Sequence, residues 1–226
     1  MNFKKNIKEA LTIKFDQAFG LDISDRSVEI IELEKVFRFS VKTYGRTDLP
    51  PGIIEEGKII DQNTLALKLK TLLKEVKPKK VSTNKVILSL PESQVFVRCF
   101  TVDSKLKFGA LNEAILEKLS TIFPISVDKM YWDFVSKPLT DKTKKLIMFF
   151  GAPKDVATSY VKFCNSIGLE VVSLTIEALS LARVILKKID RQSLIIDLGS
   201  RATSLNFFDG NDKINMSNTK IGRAHV

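Results

Sequence analysis

Asp22-Ile23-Ser24-Asp25-Arg26-Ser27-Val28 has a counterpart far along the chain, Asp197-Leu198-Gly199-Ser200-Arg201-Ala202-Thr203. In each copy an apolar strand ends in an aspartate, a turn of small residues with one arginine follows, and a second β-rich strand begins. Two such hairpins that face each other would form an anion cradle, in which backbone N–H groups hold phosphate oxygens. One copy alone is more often a plain turn with an Asx hydrogen bond, so the repetition carries the prediction.

The predicted site residues follow from this pattern. Asp22 and Asp197 are expected to hold Mg²⁺ through water, because this hard cation prefers oxygen ligands. Asp25 adds negative charge to the first turn, which repels a phosphate by about 1–4 kcal/mol unless Mg²⁺ or Arg26 compensates. The predicted phosphate-binding residues are Asp22, Ser24, Asp25, Arg26, Ser27, Asp197, Gly199, Ser200, Arg201 and Thr203.

Strand and helix patterns alternate along the rest of the chain, which predicts an α/β protein. Predicted strands cover 19–23, 28–33, 36–41, 85–90, 94–101, 130–135, 146–150, 193–198 and 204–208. One predicted helix is capped by Asp61 and has an apolar face of Leu65, Leu69, Leu72 and Val76. A second has Leu111, Ile115, Leu119 and Ile122 in register. A third begins at Pro153 and ends at Gly168. The run 174–189 is apolar nearly all round and predicts a buried helix. Asp209-Gly210 is a hairpin signal.

The net charge of +10 raises the question of nucleic-acid binding. The lysines are dispersed over helix surfaces and loops, as in 68–80 and 142–145, without interleaved aromatic residues or a recognised nucleic-acid motif. We therefore expect no nucleic-acid partner, and the charge fits solvated surfaces or attraction to anionic lipid. The basic segment 1–15 is weakly amphipathic and either lies on a membrane surface or packs on its own domain.

The hydropathy, the two cysteines and the C-terminal tail further limit the class of protein. No apolar run approaches the ~18 residues that a membrane-crossing helix needs. Cys99 and Cys164 lack metal-ligand spacing and are expected to be reduced, buried thiols of a cytosolic protein. Residues 221–226 back-translate cleanly to a common sequencing adapter, so we expect them to be an artefact and the native chain to continue past Lys220. His225, the only histidine, lies in this tail, so histidine-based catalysis or metal binding is not expected elsewhere.

Several segments carry a resemblance to a known family. Gly20-Leu21-Asp22-Ile23-Ser24 resembles the first phosphate motif of the actin, sugar-kinase and heat-shock-chaperone superfamily, and Ile196-Asp197-Leu198-Gly199-Ser200 with Thr203 resembles the second. Within that superfamily the chain resembles PilM and, more distantly, the division protein FtsA. The segments concerned are LPPGIIEEG (49–57), VILSLPESQV (86–95), GAPK (151–154) and EALSLAR (177–183). The similarity covers about residues 18–220, and the order of the segments makes it specific.

The resemblance implies an α/β fold with an actin-like (ribonuclease-H-like) subdomain at 16–84 and 174–220. A small α/β subdomain would be inserted at 85–173, as in PilM and FtsA. ATP and Mg²⁺ are the implied cofactors. By position, Glu177 is the candidate for orienting an attacking water, with a helix-cap or packing role as the alternative. Ser24 stands where the family often has glycine and Glu29 where it often has lysine, so at most a slow ATPase is implied.

The implied function is that of a cytoplasmic nucleotide-binding adaptor at the inner-membrane platform of a type IV pilus. In PilM a groove receives the cytoplasmic N-terminal peptide of the membrane protein PilN, so a PilN-like partner and peripheral association with the cytoplasmic face of the inner membrane are expected. Other readings stay open: an FtsA-like division adaptor, a scaffold of the same fold that does not bind nucleotide, or a small-molecule kinase, for which no catalytic aspartate or substrate pocket stands out.

Overall fold

The computed structural model describes residues 18–35, 39–122, 126–185, 192–199, 202–208 and 216–222. They form two compact units, the first from the described parts of 1–94 and 156–180, and the second from those of 95–155 and 181–226. No helix in these ranges is long and apolar enough to cross a membrane. The basic segment 1–15 and the predicted Asp209-Gly210 hairpin lie outside the described residues.

The secondary structure confirms an α/β protein. The strands, in chain order, are β1 (Phe19–Ile23), β2 (Ser27–Lys35), β3 (Phe39–Asp48), β4 (Ile54–Glu55), β5 (Lys58–Ile59), β6 (Lys77–Pro78), β7 (Lys85–Leu90), β8 (Phe96–Asp103), β9 (Met130–Pro138), β10 (Lys144–Pro153), β11 (Glu170–Ile176), β12 (Ser193–Leu198), β13 (Ala202–Phe208) and β14 (Met216–Gly222). The helices are α1 (Gln62–Glu75), α2 (Phe108–Ile122), α3 (Lys154–Ser166) and α4 (Glu177–Ile185).

The first unit is built on a six-stranded mixed sheet in the order β11-β7-β1-β2-β3-β6. β7 pairs in parallel with both β1 and β11, whereas β1, β2 and β3 form an antiparallel meander. A separate two-stranded hairpin, β4–β5, pairs Ile54 with Ile59. The carboxyl ends of the three parallel strands therefore lie at one edge of this sheet, which is where open α/β sheets bind ligands.

The helices of the first unit follow their sequence signals. Asp61 caps α1, because its carboxylate accepts the N–H of Thr64 at 3.0 Å. The buried face of α1 carries Leu65, Leu69 and Leu72, as predicted. This helix approaches β3 closely at Gly45, where a Cβ would lie 2.9 Å from side-chain atoms of Leu72 and Val76. α3 buries Val156, Tyr160 and Phe163, and Gly168 follows its end with a φ of 87°, again as predicted.

The second unit contains two three-stranded antiparallel sheets, in the orders β8-β10-β9 and β12-β13-β14. α2 covers one face of the first of these sheets. Its predicted apolar positions Leu111, Ile115 and Leu119 pack with Ile147 and Phe149 of β10 in a buried cluster. Cys99 and Cys164 are thiols rather than a disulfide, as predicted, but only Cys164 is buried, whereas Cys99 is partly exposed.

The prediction of one long buried helix is wrong. The apolar run 174–189 was expected to form a single buried helix, but its first residues, 174–176, belong to the parallel strand β11, and α4 begins only at Glu177. α4 is also not buried all round, because Ala178 and Ala182 are buried whereas Val184 is 82% exposed.

The strand β7 lies within the predicted inserted segment 85–173 and pairs with β1 in the first unit. The predicted subdomain boundaries stay a prediction.

Candidate functional site

The first predicted turn is held together by its two serines. The N–H of Ser24 donates to the carbonyl of Ser27 at 2.9 Å. The Ser24 hydroxyl donates to the same carbonyl at 3.1 Å, and the N–H of Ser27 donates to the Ser24 hydroxyl at 3.1 Å. Both serine N–H groups are thus used inside the turn. In this conformation of the turn neither serine N–H is left to bind a phosphate.

Asp25 faces a neighbouring hairpin. Its Oδ1 accepts the backbone N–H of Gly57, at the tip of β4–β5, over 3.1 Å. The carbonyl of Arg26 accepts the N–H of Leu49 at 2.7 Å. Because one carboxylate oxygen is already engaged by an N–H group, part of the negative charge expected to repel phosphate is compensated from within the protein.

Asp22 lies in a row of polar residues that crosses the sheet. In the register of the strands, Asp22 of β1 is opposite Ser89 of β7 on one side and Glu29 of β2 on the other. Ser89 in turn is opposite Thr175 of β11, and Glu29 forms an ion pair with Arg46 of β3 at 3.3 Å. Cross-strand partners share a face of a sheet. The row therefore places hydroxyl, carboxylate and guanidinium groups side by side near the carboxyl edge of β1, β7 and β11.

Ser89 was missed in the sequence analysis. It is 8% exposed, and its buried hydroxyl oxygen has no hydrogen-bond partner among the described residues. A buried hydroxyl without a partner is costly, which makes it a natural contact for a ligand or an ordered water. The only local signal was a serine in the otherwise apolar run 86–90, which ends directly before Pro91.

A buried tyrosine lies behind this edge. The Tyr160 side chain is 0% exposed, and its hydroxyl donates to the carbonyl of Gly57 at 3.1 Å. Burial first, and then the nearby carboxylates of Asp25 and Asp22, raise the pKa of Tyr160 above its ordinary value. The hydroxyl therefore stays protonated and acts as a donor. One helical turn further on, burial raises the pKa of the Cys164 thiol to about 12, which makes it unreactive.

The second predicted turn is described in part. Asp197 is partly buried on β12, opposite Ser204 of β13, and Thr203 is opposite Leu198. Gly199 follows the strand and is exposed, whereas Ser200 and Arg201 lie outside the described residues. Asp22 belongs to the first unit and Asp197 to the second, so the meeting of the two hairpins stays a prediction.

Glu177 is the first residue of α4 and directly follows β11, with its side chain partly buried. A carboxylate in the first turn of a helix is stabilised by the helix dipole whatever else it does. Its predicted role in orienting a water therefore also stays a prediction.

The residues at Asp22 fit a water-mediated Mg²⁺ better than a directly coordinated metal. Within the described residues no group of three or more histidine, cysteine, aspartate and glutamate side chains is placed to hold a metal ion. Mg²⁺ keeps several of its waters and often contacts only one or two carboxylates. The carboxylate of Asp22 and the adjacent buried hydroxyl of Ser89 suit such a hydrated ion.

Together the six-stranded mixed sheet and its parallel strands β1, β7 and β11 define an α/β protein of the open-sheet class. The chain belongs to the family of the type IV pilus assembly protein PilM, which matches residues 20–225.

Among solved structures, the chain is similar to a chain of a PilM–PilN type IV pilus biogenesis complex, with a TM-score of 0.75 and 23% identity. The match covers 89% of this chain and 61% of that one, so the chain spans about three fifths of its relative. This likeness confirms the predicted PilM-type fold.

Two further likenesses are weak. Ethanolamine utilization protein EutJ from Carboxydothermus hydrogenoformans has a TM-score of 0.49 and 11% identity, over 92% of this chain and 52% of that one. A Bacteroides thetaiotaomicron VPI-5482 protein with an actin-like ATPase fold and unknown function has a TM-score of 0.43 and 8% identity, over 91% and 70%. No curated protein sequence matches the chain.

Proposed function

We propose that this chain is a nucleotide-binding adaptor of a type IV pilus machine, which acts at the cytoplasmic face of the inner membrane. Its partner would be the cytoplasmic N-terminal peptide of a PilN-like membrane protein. The observation that carries the proposal is the match to the PilM family over residues 20–225. The likeness to a chain of the PilM–PilN complex supports the choice of partner.

The proposed ligand of the adaptor is Mg-ATP. Asp22 and Asp197 would each contact Mg²⁺ through water, and the turn backbone at Asp25 and Arg26 would face phosphate. The Ser89 hydroxyl supports this, because a water or ligand oxygen beside Asp22 would satisfy a buried group that otherwise has no partner among the described residues. From the second hairpin, the proposed contacts are Gly199, Ser200, Arg201 and Thr203. Bound Mg-ATP would supply a charged group that both hairpins can grip.

The side chains have distinct proposed tasks. Asp22 orients water toward the cation, and the guanidinium of Arg26 offsets phosphate charge. Ser24 and Ser27 fix the shape of the turn through their mutual hydrogen bonds. Glu177 is the candidate for orienting a water, with slow turnover at most.

A second candidate is a scaffold of the same fold that binds its partner peptide without nucleotide. The turn geometry favours it, because the N–H groups of Ser24 and Ser27 are used internally and fewer donors face a phosphate. The two candidates differ in whether ATP has any measurable affinity.

Calorimetric titration of the full-length protein with Mg-ATP separates them. For the adaptor we expect binding that Asp22→Ala weakens by about tenfold or more, as for loss of a charged contact. Ser89→Ala should weaken it severalfold. Glu75→Ala, an exposed carboxylate at the end of α1, is the matched control and should bind as the wild type does.

The same titrations are then repeated with the cytoplasmic N-terminal peptide of the PilN-like protein from the same organism. Peptide binding that Mg-ATP strengthens or weakens supports a nucleotide-dependent adaptor. Peptide binding with no heat from Mg-ATP supports the scaffold. If neither ligand binds, the proposed function is wrong.

A further inference from the structure

The tip of the β4–β5 hairpin has a backbone that depends on glycine. Glu56 and Gly57 both adopt left-handed conformations, with φ of 48° and 74°. Gly57 is buried, and a Cβ there would lie 2.5 Å from the Ser93 hydroxyl oxygen, 2.9 Å from Cγ of Gln94 and 3.0 Å from Cβ of Pro91. Both the conformation and the space therefore require a residue without a side chain at position 57.

Side chains from other parts of the first unit form hydrogen bonds with the backbone of this tip. The N–H of Gly57 donates to Oδ1 of Asp25 at 3.1 Å, and its carbonyl accepts the hydroxyl of Tyr160 at 3.1 Å. The carbonyl of Glu56 accepts Nε2 of Gln94 at 2.7 Å. Both polar groups of Gly57 are thus satisfied by side chains, one from the first predicted phosphate turn and one from α3.

These contacts form a continuous connection from α3 to the turn. Tyr160 is fully buried, so its hydroxyl has a fixed position, and it holds the carbonyl of Gly57. Gly57 then holds the carboxylate of Asp25 in the middle of the turn between Ser24 and Ser27. The serine hydrogen bonds fix the shape of the turn, whereas this connection fixes where the turn lies relative to the sheet.

We propose that Gly57 and Tyr160 are positioning residues for the first phosphate-binding turn, and that the carboxylate of Asp25 anchors this turn to the β4–β5 hairpin instead of contacting phosphate or Mg²⁺. This inference rests on the proposed nucleotide site. A turn that is already held in place loses less conformational freedom when a ligand binds, so the anchor raises affinity without touching the ligand. The hydrogen bond from the Gly57 N–H also compensates part of the negative charge of Asp25, so the carboxylate repels a bound phosphate less.

The two possible roles of Asp25 respond in opposite ways to a conservative change. Asn retains an Oδ1 that accepts the Gly57 N–H but removes the negative charge. An anchor therefore tolerates Asp25→Asn, and affinity for Mg-ATP stays the same or rises, because the repulsion is removed. A direct contact to Mg²⁺ would instead be weakened by Asp25→Asn nearly as much as by Asp25→Ala.

The test combines Mg-ATP titration with hydrogen exchange of the ligand-free, full-length protein. We expect Asp25→Ala to bind Mg-ATP about fivefold or more weakly than Asp25→Asn, because both variants lack the charge but only Asn keeps the hydrogen bond, and Tyr160→Phe to bind about fivefold or more weakly than the wild type, as for loss of a buried hydrogen bond. Backbone amides of the turn should exchange faster in Asp25→Ala and Tyr160→Phe, whereas Asp25→Asn should exchange as the wild type does and bind Mg-ATP at least as tightly. Tyr44→Phe removes a hydroxyl from a side chain that is 59% exposed in the same unit and should change nothing.

Two results would overturn the proposal. One is equal loss of affinity in Asp25→Asn and Asp25→Ala, which would make Asp25 a direct ligand. The other is unchanged exchange of the turn in Asp25→Ala and Tyr160→Phe. If the wild type binds no Mg-ATP, the proposed function fails, and the exchange measurement alone still decides whether the turn is anchored. Asp25→Asn and Asp25→Ala keep the test decisive if Tyr160→Phe does not fold.

Discussion

A buried carboxylate in the first unit offers a sharp test of the structure. Glu32 of β2 is 5% exposed. Its carboxylate accepts hydrogen bonds from Nζ of Lys42 at 3.1 Å, from the N–H of Ser82 at 3.0 Å, and from the Ser82 hydroxyl. Lys42 lies on the adjacent strand β3, and Ser82 lies in the loop between β6 and β7. Glu32 therefore fixes this loop to the sheet, and Glu32→Ala removes all these contacts together.

The expected loss of stability comes from the groups that Glu32→Ala leaves without a partner. The Lys42 side chain is only 23% exposed, so its ammonium would remain partly buried without its counter-ion. The Ser82 N–H would lose its acceptor. Charged hydrogen bonds and broken buried ion pairs together suggest a loss of about 2–4 kcal/mol for Glu32→Ala. Glu32→Gln keeps an acceptor and the shape of the side chain, so about half of that loss is expected.

The pH dependence has a definite sign. Burial raises the pKa of Glu32, but the hydrogen bonds from Ser82 and Lys42 outweigh it and hold the pKa below its ordinary value of 4.5. The folded protein thus binds this proton less tightly than the unfolded chain does. The contribution of Glu32 is complete above pH 4.5 and is lost as the pH falls through the lower, folded value.

Urea denaturation followed by far-ultraviolet circular dichroism, at neutral pH and in steps below pH 4.5, measures both effects. The difference between wild type and Glu32→Gln should be largest at neutral pH and should shrink in acid. Glu34→Ala, an exposed neighbour on the same strand, is the control and should leave stability unchanged. A wild type and a Glu32→Ala variant of equal stability at neutral pH would refute the reasoning.

Two other substitutions test the packing of each unit. Gly57→Ala should destabilise the first unit by about 1–3 kcal/mol in urea denaturation, because Gly57 has a φ of 74° and a Cβ there would clash with Ser93. An unchanged midpoint of urea unfolding would contradict the close packing at the tip of the β4–β5 hairpin. Phe149→Ala should cost about 3–5 kcal/mol, because Phe149 is 0% exposed in the core beneath α2. Its ring centroid lies 6.0 Å from that of Trp132, the single tryptophan, so tryptophan fluorescence follows this unfolding. Phe39→Ala, at a side chain that is 55% exposed, should have little effect.

The sequence was sufficient to predict elements that are formed by interactions between residues near each other in the chain. α1 was predicted because Asp61 supplies a cap and Leu65, Leu69 and Leu72 recur at helical spacing. The run from Leu174 gave no such guidance. A strand of a parallel sheet is apolar on both faces, so its sequence cannot be told from a buried helix by periodicity. Only the pairing of Leu174 with Leu88 of β7 decides it.

The candidate site was predicted where it is continuous in sequence and missed where it is not. The turn 22–27 was identified from its own residues. Asp25 was expected to repel phosphate, whereas its contact with Gly57 joins residues that only the fold brings together. Ser89 had only a weak local signal, and its position beside Asp22 arises from the parallel pairing of β1 and β7.

The buried Ser89 hydroxyl is the observation in the polar row that supports the proposed ligand at the carboxyl edge. Leu88 and Leu90 flank Ser89 and are buried, so an alanine at position 89 would fit the strand without introducing a polar atom. A buried hydroxyl with no partner among the described residues lowers stability by about 1–3 kcal/mol relative to one that is hydrogen-bonded. A water of a hydrated Mg²⁺ at Asp22 would recover this energy only by reaching the Ser89 oxygen, which is buried in this structure. The same energy then appears as affinity for the ligand.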